Sequence, residues 1–190
     1  MTRKNADPFA ALENGVSAEI RRAGAGAKAV VDSVAGLLAG AVRTSGEAET
    51  ILFDWSPLLA DSAVRGAAKA GGNIGSVARG FLLGALRGSG LSGEPALQAA
   101  AEAAGAFIDS VHDARGDAGG AAEALVEGAL VWAAEVGQDA DRTAAAVGQA
   151  ALDAAYDIDA KTGREVRDAL KVVIAGVALN LKEPARAHRR

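Results

Sequence analysis

Six segments of this chain, each long enough for a helix, carry apolar residues at alternating steps of three and four. Such spacing places the apolar side chains on one stripe of an α-helix, facing the same neighbouring helix. Because the stripes consist mostly of alanine and glycine, two backbones can approach to the short end of the usual ~8–10 Å interaxial distance. The two clearest stripes are Ile20, Gly24, Ala27, Val31, Val34, Leu38, Ala41 and Ala60, Val64, Ala67, Gly71, Ile74, Ala78, Phe81, Ala85.

The composition supports a helical fold with a thin core. The chain has 48 alanines and seven aromatic residues, so most buried side chains remove little apolar surface from water. No alternating β-branched run bounded by turn residues is present. We therefore predict an all-α fold, an antiparallel helical bundle or hairpin array of about five to seven Ala/Gly-rich helices. A thin core also favours self-association, which buries more surface.

Capping residues predict the helix boundaries. Ser17 can begin the first helix, and Ser56 followed by Pro57 predicts the start of the second. That second helix is expected to reach about Arg87, with a bend at Gly71-Gly72. The later boundaries follow from the same rules: Pro95 opens a third helix, Gly137 ends a fourth, Asp139 begins a fifth, and the capping box Thr162–Glu165 begins a sixth that runs to Leu181.

The chain divides into three regions and repeats part of itself. Residues 1–15 lack an apolar stripe and are predicted to be a loose segment, residues 16–182 a single helical domain, and residues 183–190 a basic tail. Gly36–Gly46 and Gly80–Gly90 are identical at seven of eleven positions, at an offset of 44. A duplicated unit of this size is typical of a helical hairpin, with antiparallel neighbours joined by short loops.

The charge distribution argues against nucleic acid as a partner. The net charge is −4, but residues 1–90 carry +2, residues 91–181 carry −9 and residues 182–190 carry +3. Phosphate binding requires a basic face, which the acidic second half does not offer. We interpret the basic tail as a solvated end.

The sequence also bears on the compartment. There are no cysteines, hence no disulfides or thiolate metal ligands. The polar start predicts no signal peptide, and the longest uncharged apolar stretches reach about half of the ~20 residues that a membrane span requires. We expect a soluble, cytoplasmic protein.

One group of side chains could perform chemistry. Asp109, His112 and Asp113 lie at i, i+3 and i+4 of the third predicted helix, where they could bind a divalent metal or tune a histidine base. A solvated helix face has the same pattern. Asp153 and Asp157, one turn apart, could act as an acid–base pair or keep their face wet. No motif predicts a cofactor.

The function predicted from these observations is non-enzymatic: a helical structural or interaction protein that self-associates as a homo-oligomer through its Ala/Gly stripes. The alternative is an amphipathic protein that coats or inserts into a lipid, polyester-granule or membrane surface. A second alternative is a helical enzyme or metal binder around His112. The cysteine-free, alanine-rich, amphipathic character is similar to that of bacterial phasins and apolipoprotein-like proteins, although 24 glycines exceed what a phasin would carry.

Overall fold

The computed structural model describes residues 26–182, apart from the side chain of Ala27, and contains seven helices and no β-strand in that range. The predicted all-α fold is confirmed. Connections of one to four residues join consecutive helices. The helices are α1 (Ala27–Ser45), α2 (Ala48–Ala70), α3 (Ile74–Ser89), α4 (Gly93–Asp113), α5 (Ala118–Val136), α6 (Ala140–Ile158) and α7 (Ala160–Leu170).

The helices form two layers in which each helix packs mainly against the second helix along the chain. One layer contains α1, α3 and α5, the other contains α2, α4 and α6, and α7 packs against α5 and α6. Consecutive helices run antiparallel because their connections are short. Alternate helices run parallel, since Arg79 pairs with Glu127 and Arg87 with Glu135 at the same sequence separation of 48. The architecture is therefore an array of helical hairpins.

Glycines bring the helices of one layer close together. A Cβ atom at Gly84 of α3 would lie 2.8 Å from the Val31 carbonyl oxygen of α1, and one at Gly88 would lie 2.7 Å from that of Ala35. Gly128 of α5 approaches the Arg79 backbone of α3 in the same way. These three glycines lie outside the predicted stripes, so the closest backbone approaches occur at glycines that the stripes did not include.

The core lies between the two layers. Phe81 of α3 and Phe107 of α4 are fully buried with ring centroids 5.0 Å apart, and Trp132 of α5 is buried as well. Small side chains, chiefly alanine and valine, fill much of the remaining space, as the composition predicted.

The predicted start at Ser56-Pro57 is wrong. α2 continues through both residues, and the Ser56 hydroxyl donates to the Leu52 carbonyl oxygen at 2.6 Å instead of capping a helix. Burial of Leu52 and Leu59 on either side offsets the backbone hydrogen bond that Pro57 cannot make.

The bend predicted at Gly71-Gly72 is a complete break between α2 and α3. Gly71 adopts φ = 64°, a left-handed conformation that ends α2. The Asn73 side chain then accepts a hydrogen bond from the Ser76 backbone N–H and begins α3. The second predicted helix is therefore two antiparallel helices.

The last predicted helix begins earlier and ends earlier than expected. Asp159, not Thr162, caps α7 by accepting hydrogen bonds from the backbone N–H groups of Lys161 and Thr162. α7 then ends at Leu170, and Ile174 and Val177 exchange two backbone hydrogen bonds of 2.9 Å around Ala175-Gly176. We call residues 171–182 the C-terminal strap.

Two boundaries are confirmed, and one lies outside the described residues. Gly137 ends α5 in the left-handed conformation, and Asp139 begins α6 by accepting a hydrogen bond from the Arg142 N–H. The predicted start at Ser17, together with Ile20 and Gly24 of the first stripe, precedes residue 26.

Candidate binding groove

A groove runs along the surface of the layer in which α4 lies between α2 and α6. Two clefts of about 370 and 480 Å³ form it, and both are lined by Phe53 of α2 and Glu102 of α4. We call these two neighbouring clefts together the acidic groove. The second cleft extends across α4 to α6.

The floor of the acidic groove is apolar. Phe53 is 60% exposed although it is aromatic, and Pro57, one turn later on the same face of α2, lines the same cleft. Alanines of α4 and α6 complete the floor, and Gly105 of α4 keeps it open beside Ala154. Because Pro57 has no backbone N–H, it leaves the Phe53 carbonyl without its usual helical donor.

The rim of the acidic groove carries carboxylates from three helices. Among the described residues, no lysine or arginine lines either cleft. A ligand lying in the groove therefore meets negative charge on both sides of an apolar floor. The carboxylates are those of Glu49, Glu102, Asp109, Asp153 and Asp157.

The raised pKa of the Asp109 carboxyl reflects its partial burial and the crowding of negative charge around it. Partial burial raises the pKa of the Asp109 carboxyl above 3.8, and the nearby carboxylates of Asp113 and Asp157 raise this pKa further. His112 has an opposing and smaller effect on the same pKa. A cation placed beside Asp109 would relieve this repulsion.

The C-terminal strap ends next to the rim. The Lys182 backbone N–H donates to Gln149 Oε1 at 2.8 Å, and Gln149 Nε2 donates to the Lys182 carbonyl oxygen at 2.9 Å. The same Gln149 amide also donates to Asp153 Oδ1 at 2.9 Å. One side chain thus connects the end of the described chain to a carboxylate of the acidic groove.

The three residues that the sequence grouped remain neighbours on α4, but they line two different clefts. Asp109 lines the acidic groove, whereas His112 and Asp113 line a different cleft of about 430 Å³, where α4 ends and α5 and α7 begin. His112 Nδ1 lies 3.5 Å from the Thr162 hydroxyl there. Within residues 26–182 we find no group of three or more His, Asp or Glu side chains placed to hold a metal ion.

Sequence reasoning missed Phe53 and Glu102. Phe53 lies in Glu47–Trp55, a segment that fits either a helical turn or an apolar connector while Pro57 is taken as a helix start. A helix drawn through Pro57 would have placed Phe53 and Pro57 on one face. Glu102 gave no signal, because an isolated glutamate on a helix is ordinary.

Apolar side chains elsewhere on the described surface are scattered. Besides Phe53, the large exposed ones are Val136 at the end of α5 and Val172 and Val173 in the C-terminal strap. They do not form a stripe along any helix. In the part of the chain that the structure describes, each helix is too short or too polar to cross a bilayer.

Comparison of the chain with models of protein families, with curated protein sequences and with solved structures gives no match.

Proposed function

We propose that this chain is a non-enzymatic helical interaction protein that binds a basic, amphipathic segment of a partner protein in the acidic groove. The observation that carries the proposal is the combination of an exposed Phe53 with carboxylates from three helices around one apolar floor. Extended surfaces formed by stacked helical hairpins commonly bind peptides and proteins in this way.

The apolar floor and the carboxylate rim of the groove favour a partner segment that is both apolar and basic. Apolar side chains of a bound segment would cover Phe53 and the alanine floor, and lysine or arginine side chains would reach the carboxylates of the rim. Such charge complementarity accelerates encounter and excludes acidic partners. The Ser56 hydroxyl, which lines the groove, donates its proton to the Leu52 carbonyl oxygen and not to the side chain of a base that would activate a nucleophile.

A labelled peptide tests this proposal. The probe is a short amphipathic helical peptide of lysine and leucine, with a matched peptide of glutamate and leucine as the control. We expect the basic peptide to bind in a fluorescence anisotropy titration and the acidic peptide not to bind. Affinity should fall as salt exceeds about 0.1 M, where the Debye length is ~10 Å.

Matched variants locate the site. Phe53→Ser should weaken binding, whereas Val136→Ser, which also removes an exposed apolar side chain, should not. Asp109→Asn should weaken binding, while Asp32→Asn on the exposed face of α1 should leave it unchanged. Equal binding of both peptides, or equal affinity of Phe53→Ser and the parent, would contradict the proposal.

A second candidate function is homo-oligomerisation, and the observation that favours it is the glycine-bearing face of α1. In α1, Gly36 is exposed and Gly40 is half-buried, whereas the aligned Gly80 and Gly84 of α3 are buried. A helix-packing face on which no described helix packs is a surface that a second molecule could use.

Light scattering across protein concentration and salt tests this second candidate. We expect Gly40→Glu to reduce an oligomeric mass and Ala70→Glu, at the exposed end of α2, to leave it unchanged. A monomeric mass for the parent protein under all conditions would remove this candidate.

A further inference from the structure

The described chain ends at Lys182, beside the acidic groove. Leu179 and Leu181 of the C-terminal strap lie against α6, where a Cβ at Gly148 would meet both side chains at 3.0 and 3.4 Å. Gln149 then holds the Lys182 backbone through two hydrogen bonds and Asp153 through a third. The C-terminal strap therefore places the starting point of residues 183–190 at the rim of the acidic groove.

The residues that follow can reach across the groove. An extended chain spans at most ~3.3–3.6 Å per residue, so Arg186 can lie up to about 13–14 Å from Lys182 and Arg190 up to about 26–29 Å. Asp153 and Asp157 are one helical turn apart, about 6 Å along α6. Packed helices such as α6 and α4 lie ~8–10 Å apart between their axes, so this reach is enough to pass from one to the other.

The charges of the two surfaces are opposite. Residues 182–190 carry four basic side chains and one glutamate, a formal charge of +3. The clefts are lined by five carboxylates and, among the described residues, by no lysine or arginine. The acidic groove therefore has a basic segment of the same chain at its edge.

We propose that residues 183–190, the basic tail, occupy the acidic groove of their own chain and compete with an external basic partner. This inference rests on the proposed function, because it assigns the groove the same ligand chemistry. A short tether gives the tail an effective concentration in the millimolar range, so even weak pairing of Arg186, Arg189 and Arg190 with the rim keeps the groove occupied. An external partner must then displace the tail to bind.

Paramagnetic relaxation in NMR tests the occupancy directly. The chain has no cysteine, so Ala187→Cys provides one site for a nitroxide spin label on the full chain. We expect enhanced relaxation at the amides of Phe53, Glu102 and Asp153, decreasing as salt increases. A label at Val173→Cys, on an exposed side chain earlier in the strap, serves as the control and should show no such salt dependence.

Three further samples show whether the enhancement depends on the charge of the tail and arises within one chain. Neutralising the tail with Arg186→Gln, Arg189→Gln and Arg190→Gln should abolish the enhancement, and lysine at the same three positions should restore it. A mixture of spin-labelled, unenriched chain with unlabelled ¹⁵N-enriched chain should show no enhancement at the groove. Absence of enhancement in the singly labelled chain, or enhancement in the mixture equal to that within one chain, would overturn the proposal.

Competition separates this inference from the proposed function. If both hold, the tail-neutralised variant binds the lysine–leucine peptide several-fold more tightly than the parent. If the two proteins bind it equally, the groove takes basic partners but the tail does not occupy it. If neither protein binds the peptide and the spin label still shows the tail in the groove, the proposed external partner is wrong and the tail inference stands.

Discussion

The segments Gly36–Gly46 and Gly80–Gly90 share seven of eleven residues, yet they occupy different environments. Both form the end of a helix in the same layer, and both end at a glycine in the left-handed conformation. Leu38 and the aligned Leu82 are both fully buried. In contrast, Gly84 of the second copy contacts the α1 backbone, whereas the aligned Gly40 of α1 has no described helix against it.

The difference teaches that a repeated sequence does not specify its own neighbours. α3 lies between α1 and α5, so both of its sides are covered. α1 is the first described helix of the layer, and no described helix packs on the face equivalent to the one that α3 turns to α1. Position in the array, rather than residue type, decides which glycines pack.

The largest expected difference in stability is between alanine substitutions at Phe81 and at the aligned Leu37. Phe81 is fully buried against Phe107, whereas Leu37 is half-buried. Phe81→Ala should cost about 3–5 kcal/mol of the free energy of unfolding, and Leu37→Ala clearly less. Urea denaturation followed by far-UV circular dichroism measures both values. Equal losses would mean that the two copies are equally enclosed and that the comparison fails.

The second-largest expected effect is that a glycine-to-alanine substitution changes stability in opposite directions in the two repeated segments. Gly84→Ala should destabilise by about 1–3 kcal/mol, because the added Cβ would lie 2.8 Å from the Val31 carbonyl oxygen. Gly40→Ala should stabilise by about 0.5–1 kcal/mol, because alanine favours the helix and the Cβ has room. Melting temperatures in dilute solution measure the signs. A loss at Gly40 would instead show that another segment or molecule covers α1.

A smaller effect is expected from the aligned arginines Arg43 and Arg87. Arg87 Nε donates to Glu135 Oε2 at 3.0 Å, and a second guanidinium nitrogen contacts the other carboxylate oxygen. Arg43 has no ion pair among the described residues. Arg87→Gln should cost about 0.2–1 kcal/mol because the pair is partly exposed, and Arg43→Gln close to nothing. Chemical denaturation of both variants in low and high salt would detect the difference.

The smallest effect is the pH dependence of that pair. The hydrogen bond from Arg87 holds the pKa of the Glu135 carboxyl below 4.5, its ordinary value. The pair therefore contributes stability above pH 4.5 and loses it as pH falls through the lower pKa of the folded state. The stability difference between the parent and Arg87→Gln should be present at neutral pH and vanish in strong acid. If the stability difference persists in acid, its cause is packing of the Arg87 side-chain stem and not the ion pair.

The sequence by itself determined the helical class, the stripes that face the core and the caps that depend on neighbouring residues. Gly137 and Asp139 were predicted because a left-handed C-terminal residue and an N-terminal acceptor act locally. Most of the alanines and valines in the stripes are buried as predicted. Periodicity specifies which residues share a helix face, and this information is present in one segment alone.

Only the tertiary structure decided which helices become neighbours and where the acidic groove lies. The three-and-four spacing is the same whether a stripe packs against the next helix or the one after it. The sequence therefore could not predict that α1 pairs with α3. The break at Gly71 turned one predicted helix into two, and the layers then placed Phe53, Glu102 and Asp153 together. His112 lines a different cleft from Asp109 for the same reason: residues on one helix contact different neighbours when the helices packed around them differ.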